Sequence, residues 1–182
     1  MVAPEVEAAF RTLVDAIAGT EPLPAGGAAG VTAIAMGIGL GAKVVRISAG
    51  SAPALAGMED QLTQVLDRVR PEFTADCDAF LSLITALQRP RDCSDRGALV
   101  TDAWRHATAL PIAVASTARD AEALLDACIG HVKTSVAGDL SAALELVRAG
   151  RRIAASNARE NAQRLPPDEA KRLLATLDNS DD

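Results

Sequence analysis

Residues 22–47 read PLPAGGAAGVTAIAMGIGLGAKVVRI, and this stretch decides the fold. It carries no charged residue between Pro22 and Ala42. Its apolar side chains fall on two helical faces, and a helix that is apolar all round must be buried on all sides or lie in lipid. Its repeated glycines allow neighbouring backbones to approach closely, although each interior glycine costs about 0.5–1 kcal/mol relative to alanine. We therefore predict a central helix that begins at a tight Pro/Gly turn.

Three interpretations of this stretch remain open from the residues alone. The first is a membrane-spanning helix, because the length suffices and Gly26/Gly30 and Gly37/Gly41 have GxxxG spacing. Alanine and glycine supply most of its hydropathy and no aromatic residue anchors it, which argues against this interpretation. The second is a buried helix without chemistry. The third is a binding loop, since free N–H groups at a helix N-terminus attract anions.

The composition indicates an all-α protein of one domain, residues 1–182. Hydrophobic residues make up 49% of the chain, but aromatic residues only 2%, with one Trp and no Tyr. Strands favour aromatic and β-branched residues, whereas this chain is rich in helix formers. The length is sufficient for a hydrophobic core of its own. A formal net charge of −6 argues against a nucleic-acid partner.

The cysteines and histidines predict neither a disulfide framework nor a metal site. Cys77, Cys93 and Cys128 are widely spaced and odd in number, which fits a reducing compartment. No basic and apolar targeting segment is visible at the start, so we expect a cytoplasmic protein. Two histidines and no CxxC motif make a zinc site improbable.

Apolar periodicity, prolines and glycines divide the rest of the chain into helices. Besides the central helix, we predict helices at 4–18, 54–88, 94–129 and 135–163 and a short one at 168–177, followed by a frayed acidic end. Pro71 should kink or restart the second of these, Ser94 should cap the third, and Gly150 is a weak point in the fourth. The predicted fold is an antiparallel bundle of about five long helices with a short C-terminal helix.

Two carboxylates are candidates for chemistry. Asp76 shares a helical face with Phe80, which we assign to the core, so Asp76 should lie beside the core. Asp139 begins a helix that is otherwise apolar on that side, where it is either a partner of the helix dipole or a charge placed for a cation. Asn157 lies on the same helix about 27 Å away, so the two cannot hold one reacting atom within one chain.

Three polar side chains are candidates for ligand binding. Asn157 and Asn161 form an i,i+4 pair on one helical face, which indicates either hydrogen bonding to a ligand or a polar surface. Lys43 ends the uncharged part of the central helix, where it either extends to the end of the bundle or binds an anion.

Several short motifs, in order along the chain, resemble the cyclodeaminase/cyclohydrolase family. That family includes the C-terminal domain of formiminotransferase-cyclodeaminase and stand-alone methenyltetrahydrofolate cyclohydrolases. The similar segments are PAGGA at 24–28, DCDAF at 76–80, QRP at 88–90, ATALP at 107–111, GD at 138–139 and NAREN at 157–161. They cover nearly the whole chain. Three departures are present: Ala25 replaces a glycine, Ala28 replaces a serine, and residues 48–53 stand where the family has a Lys/Lys/Tyr cluster.

The resemblance implies an all-helical homodimer that binds a tetrahydrofolate derivative in a cleft, without metal or a further cofactor and without nucleic acid or membrane. A cyclohydrolase adds water to the cationic methenyl carbon, whereas a cyclodeaminase closes N10 onto a formimino carbon and expels ammonia. Both reactions need a proton carrier and a negative charge near a cationic carbon. Asp139 is the first candidate for that group and Asp76 the second.

On this interpretation the substrate-binding residues are Pro24, Gly26, Gly27, Lys43, Asn157 and Asn161. The alternatives are a divergent helical dimer that binds folate without catalysis and a weakly membrane-associated helical protein.

Overall fold

The computed structural model describes residues 3–178, apart from the side chains of Ser51 and Asp178. Its helices are α1 (Pro4–Ala18), α2 (Gly26–Ser48), α3 (Met58–Val69), α4 (Glu72–Gln88), α5 (Arg96–Asp126), α6 (Ala137–Ala162) and α7 (Pro167–Asp178). Short 3-10 turns occur at Ala49–Ser51, Pro53–Leu55 and Thr134–Val136, and no strand occurs within residues 3–178. The predicted all-α class is therefore confirmed. The expected fraying of the acidic end concerns residues outside this range.

Most predicted helix boundaries hold within three residues. The helix predicted to start at residue 54 is an exception, because it starts at Met58 after the 3-10 turn at Pro53–Leu55. The segment predicted at 54–88 forms α3 and α4, so the restart predicted at Pro71 is confirmed. Proline has no N–H to continue the helical ladder. The helix predicted to start at Ser94 starts instead at Arg96. The residue before it is Asp95, and no side-chain hydrogen bond caps this helix, so the predicted Ser94 cap is wrong.

The centre of the bundle is the antiparallel contact between α2 and α6, and it depends on glycines. A Cβ on Gly37 would lie 2.7 Å from the carbonyl oxygen of Ala143, and one on Gly30 would lie 2.9 Å from Cγ2 of Ile153. On the opposite helix, a Cβ on Gly150 would lie 2.5 Å from the carbonyl oxygen of Gly30. Gly150 is therefore a point of close packing, and its interpretation as a weak point is wrong.

Helix α2 is buried on one side only. Ile34 and Ile38 are completely buried, whereas Met36 is 57% exposed and Ile47 is also exposed. Among the described helices, α2 is long and apolar enough to cross a membrane, with a mean hydropathy of 1.7, but 56% of that window is buried inside the protein. Its outer face therefore has no cover within residues 3–178.

Helix α1 matches its predicted bounds but buries none of its residues. Its apolar stripe faces outward, and Phe10 is 63% exposed. Two apolar surfaces, the stripe of α1 and the outer face of α2, are therefore left uncovered by the described residues.

Candidate active site

A cleft of about 240 Å³ opens where the N-terminus of α2 meets α4, α5 and α6. Motifs that are distant in sequence converge there, including the Gly-rich turn, the DCDAF segment and the asparagine pair. The lining residues are Leu23, Ala25, Gly26, Gly27, Asp76, Ala79, Phe80, Leu83, Trp104, Ala107, Leu110, Asn157 and Asn161. Among them only Asp76 is charged.

Asp76 on α4 caps the N-terminus of α2. No side chain of the loop caps that end of the helix, so its first N–H groups need partners from elsewhere. The Ala28 N–H donates a hydrogen bond to the Asp76 carboxylate. The carboxylate also lies at the N-terminal, positive end of the α2 dipole. The arrangement requires glycine at position 27, because a Cβ there would overlap both carboxylate oxygens of Asp76.

The environment of Asp76 favours its protonated form more than water does. Burial raises the pKa of Asp76 above the ordinary value of 3.8, and the hydrogen bond from Ala28 offsets part of that rise. Burial also raises the pKa of Glu72, which lies one turn earlier on the same face of α4. A carboxyl group with a raised pKa transfers protons more readily near neutral pH than an ordinary aspartate.

Asn161 is held in the cleft by a hydrogen bond to a backbone oxygen that helix α5 leaves unpaired. Pro111 has no N–H, so the carbonyl oxygen of Ala107, four residues earlier, lacks its partner within the helix. The Nδ2 group of Asn161 donates to that oxygen at 2.7 Å. The proline therefore gives this asparagine a fixed position.

Asn157 lies one turn before Asn161 on α6 and lines the same cleft. Its side chain has no hydrogen bond with any residue in the described range. Because an amide offers both donors and acceptors, Asn157 is available to a ligand in the cleft.

Two aromatic rings complete the walls, and sequence reasoning missed both as site residues. Trp104 lines the cleft, and the Arg164 guanidinium lies 5.8 Å from the centre of its ring. Phe80, assigned to the core from sequence, is 39% exposed and lines the cleft instead. The position of Phe80 one turn after Asp76 was the signal that both belong to one surface.

The structure separates two candidate residues from the cleft. Lys43 is exposed on α2 about 24 Å beyond Gly27 at 1.5 Å per residue. Asp139 is exposed in the first turn of α6. Because α6 runs antiparallel to α2, this turn lies beside the C-terminal end of α2, the end that carries Lys43. Gly26, Gly27, Asp76, Asn157 and Asn161 do line the cleft. Pro24 lies in the loop between two lining residues and follows a cis peptide bond.

No group of three or more His, Cys, Asp and Glu side chains that could hold a metal ion occurs in the part of the chain described here.

The fold and the cleft define an all-helical protein with a binding cleft at the start of its central helix. The structure superimposes on formiminotetrahydrofolate cyclodeaminase from Thermotoga maritima with a TM-score of 0.84 at 18% identity, covering 94% of this chain and 87% of that one. A curated methenyltetrahydrofolate cyclohydrolase from Methylorubrum extorquens is 28% identical over 167 residues, 86% of this chain and 80% of that protein. The family model described as formiminotransferase-cyclodeaminase matches residues 9–177. The chain belongs to this family.

Proposed function

We propose that the protein is a folate one-carbon enzyme that hydrolyses a 5,10-methenyltetrahydrofolate derivative in the cleft at the start of α2. The observation that carries the proposal is the carboxylate of Asp76, the one charged group among the described lining residues, held by the Ala28 N–H. The similarity to a named cyclohydrolase supports the choice of reaction.

In this reaction Asp76 acts as the proton carrier. The water oxygen bonds to the methenyl carbon while the Asp76 carboxylate takes one of its protons. One carbon–nitrogen bond of the tetrahedral adduct then breaks, and the leaving nitrogen receives a proton from Asp76. The second water proton is released as the formyl carbonyl forms. The negative charge of Asp76 also stabilises a cationic ligand carbon nearby.

The remaining lining residues hold the substrate in register. Trp104 and Phe80 offer aromatic surfaces to a flat ring. The amides of Asn157 and Asn161 provide donors and acceptors for its polar edge. Pro24, Gly26 and Gly27 shape the loop, and we assign Lys43 no contact with substrate inside one chain.

Cyclodeamination is the second candidate, favoured by the family match and by the likeness to a solved cyclodeaminase in fold. In that reaction N10 attacks the formimino carbon and ammonia leaves, and Asp76 would protonate the departing nitrogen. The protein would then be a lyase rather than a hydrolase, and the same cleft would serve both reactions.

We assign the protein to the cytoplasm as a homodimer, with no cofactor beyond the folate substrate and no contact with nucleic acid or membrane. The uncovered apolar surfaces of α1 and α2 support a second copy as their cover. A cleft of about 240 Å³ is small for a whole folate, since ligand sites commonly enclose about 300–1,000 Å³. A partner subunit would enlarge it.

Loss of 5,10-methenyltetrahydrofolate absorbance measures the hydrolysis directly, and ammonia release from the formimino derivative measures the second reaction. Two matched variants locate the proton carrier. Asp76→Asn should lower turnover about 10²–10⁴-fold. Asp139→Asn should cost at most about 0.3–1 kcal/mol of stability as a dipole partner.

The opposite pattern, loss only in Asp139→Asn, would transfer the catalytic role to Asp139 of a second subunit. Ligand binding without turnover in the parent protein would leave a folate-binding dimer without catalysis.

A further inference from the structure

A second cavity, of about 460 Å³, lies on the opposite face of α6 from the cleft. Arg152, Ala155 and Arg159 follow one another at helical spacing along that face, about 200° around the helix from Asn157. Arg119 on α5 and Leu177 on α7 close the other sides. No residue lines both cavities.

The lining of this cavity is strongly cationic. Its charged members are Arg119, Arg151, Arg152 and Arg159, and no described lining residue is acidic. The concentration is unusual in a chain whose formal net charge is −6. Glu122 lies 3.1 Å from the Nε of Arg151 and also pairs with Arg148.

Arg119 is the residue that most needs a counter-ion. Its Nε is buried and donates to no acceptor in the range 3–178, and its guanidinium forms no ion pair with a carboxylate there. A buried polar group that neither water nor protein satisfies is costly, and a charged one more so. Arg152, across the cavity on α6, is exposed and likewise has no described acidic partner.

We propose that this cavity binds a small oxyanion carrying at least two negative charges, of the phosphate or polycarboxylate class. Guanidinium groups present parallel N–H donors that match the oxygens of phosphate and carboxylate groups. Arginines from two helices, α5 and α6, surround one space, so a multivalent anion can contact several at once. Ala115, Ala155 and Leu177 supply the apolar part of the lining beside those arginines.

Calorimetric titration of the intact protein with pyrophosphate tests the site, with acetate as the monovalent control. Pyrophosphate should bind at physiological ionic strength, and at 100 times its Kd it should raise the melting temperature by about 5–10 °C. Acetate should do neither.

Three substitutions assign the binding to this cavity. Arg119→Met keeps the apolar stem and should weaken pyrophosphate binding at least tenfold, roughly the loss of one charge-assisted hydrogen bond. Arg152→Gln changes only an exposed side chain and should weaken binding without altering the fold. Arg70→Gln removes the same charge from an exposed pair with Asp67 and should leave the affinity unchanged.

Equal affinity in the parent, Arg119→Met and Arg152→Gln proteins would overturn the proposal. Equal weakening by Arg70→Gln would overturn it too, since attraction to net charge would then suffice. The segment 178–182 carries three aspartates and offers the same chemistry from within the chain. Replacement of those aspartates by asparagine should leave pyrophosphate affinity unchanged, and a tenfold gain would identify the chain's own carboxylates as the occupant instead.

Discussion

Replacement of Gly27 by alanine is the sharpest perturbation of the cleft, because one methyl group meets the proposed proton carrier. An added Cβ would lie 2.5 Å from Cγ and Oδ2 of Asp76. Since carbon atoms pack at about 3.5–4.0 Å, the carboxylate must move by about 1 Å. A misplacement of about 1 Å costs roughly 10²-fold in rate, and we expect that loss in kcat for Gly27→Ala.

The stability of the same variant follows from two opposing effects. Loss of the Ala28 hydrogen bond to a charged acceptor costs about 1.5–3 kcal/mol, and the lower end applies because Asp76 is only half-buried. Alanine in a helix regains about 0.5–1 kcal/mol relative to glycine. The net loss of about 1 kcal/mol should lower the melting temperature by about 2–4 °C.

Gly26→Ala is the matched control, because a Cβ at that position meets no atom within 4 Å. It should melt at or above the parent temperature and keep the parent kcat because Asp76 does not move, whereas KM can change because Gly26 lines the cleft. If Gly27→Ala melts and turns over like Gly26→Ala, the contact between the loop and Asp76 has no part in catalysis.

Four further outcomes are expected. Because burial raises the pKa of Asp76, the acid limb of the pH–rate profile should lie at a higher pH than an ordinary aspartate would give. Asp76→Asn should abolish this acid limb. Because the pKa of Asp76 is raised in the folded state, protonated Asp76 contributes to the free energy of unfolding. This contribution should be present below the pKa of Asp76 in the unfolded chain and should be lost as pH rises through its pKa in the folded protein. Asn161→Ala should cost about 1 kcal/mol of stability because it leaves the Ala107 carbonyl unpaired. In a Pro111→Ala background it should cost little, because residue 111 regains an N–H. A double-mutant cycle in urea measures the difference, and equal costs would contradict this role of the proline. Light scattering should give twice 18.8 kDa for the parent and a monomer for Met36→Asp, and a monomeric parent would remove the dimer.

The helices were predictable from sequence because their signals are local. The stripe of α1, the uncharged run of α2 and the prolines fixed most boundaries within a few residues. The cleft was only partly predictable. The Gly-rich turn and the asparagine pair stood out by spacing, but the contact between Gly27 and Asp76 depends on how α4 packs against α2. Apolar periodicity predicts which face of a helix is buried, but it does not predict which other helix packs against that face.

We propose the reverse order of the two carboxylates, Asp76 before Asp139, for the same reason. Asp139 ranked first in the sequence because it begins a helix that is otherwise apolar on that side, which is a local feature. The antiparallel pairing of α2 with α6 places that start beside the C-terminal end of α2, away from the turn at Gly27. Asp76 shares a helical face with Phe80, which the sequence assigns to the core. In the structure Phe80 faces the cleft instead.

The departures from the family motif are compatible with an active cleft when considered contact by contact. Ala28 contributes its backbone N–H to Asp76, so this contact does not depend on a hydroxyl at that position. Ala25 is exposed at the start of the turn, where a methyl group in place of hydrogen is accommodated.

The segment that replaces the Lys/Lys/Tyr cluster begins at Ser48, whose Oγ accepts a hydrogen bond from the Lys133 N–H at 3.1 Å. That position lies a full helix length from Gly27, about 30 Å by rise per residue. Its lost charges therefore cannot act on Asp76 within one chain. They would change only how the far end of an extended ligand, or a second subunit, is held. On this basis the departures should raise KM for substrates with long anionic tails more than they lower kcat, and kinetics with short and long folates would separate the two effects.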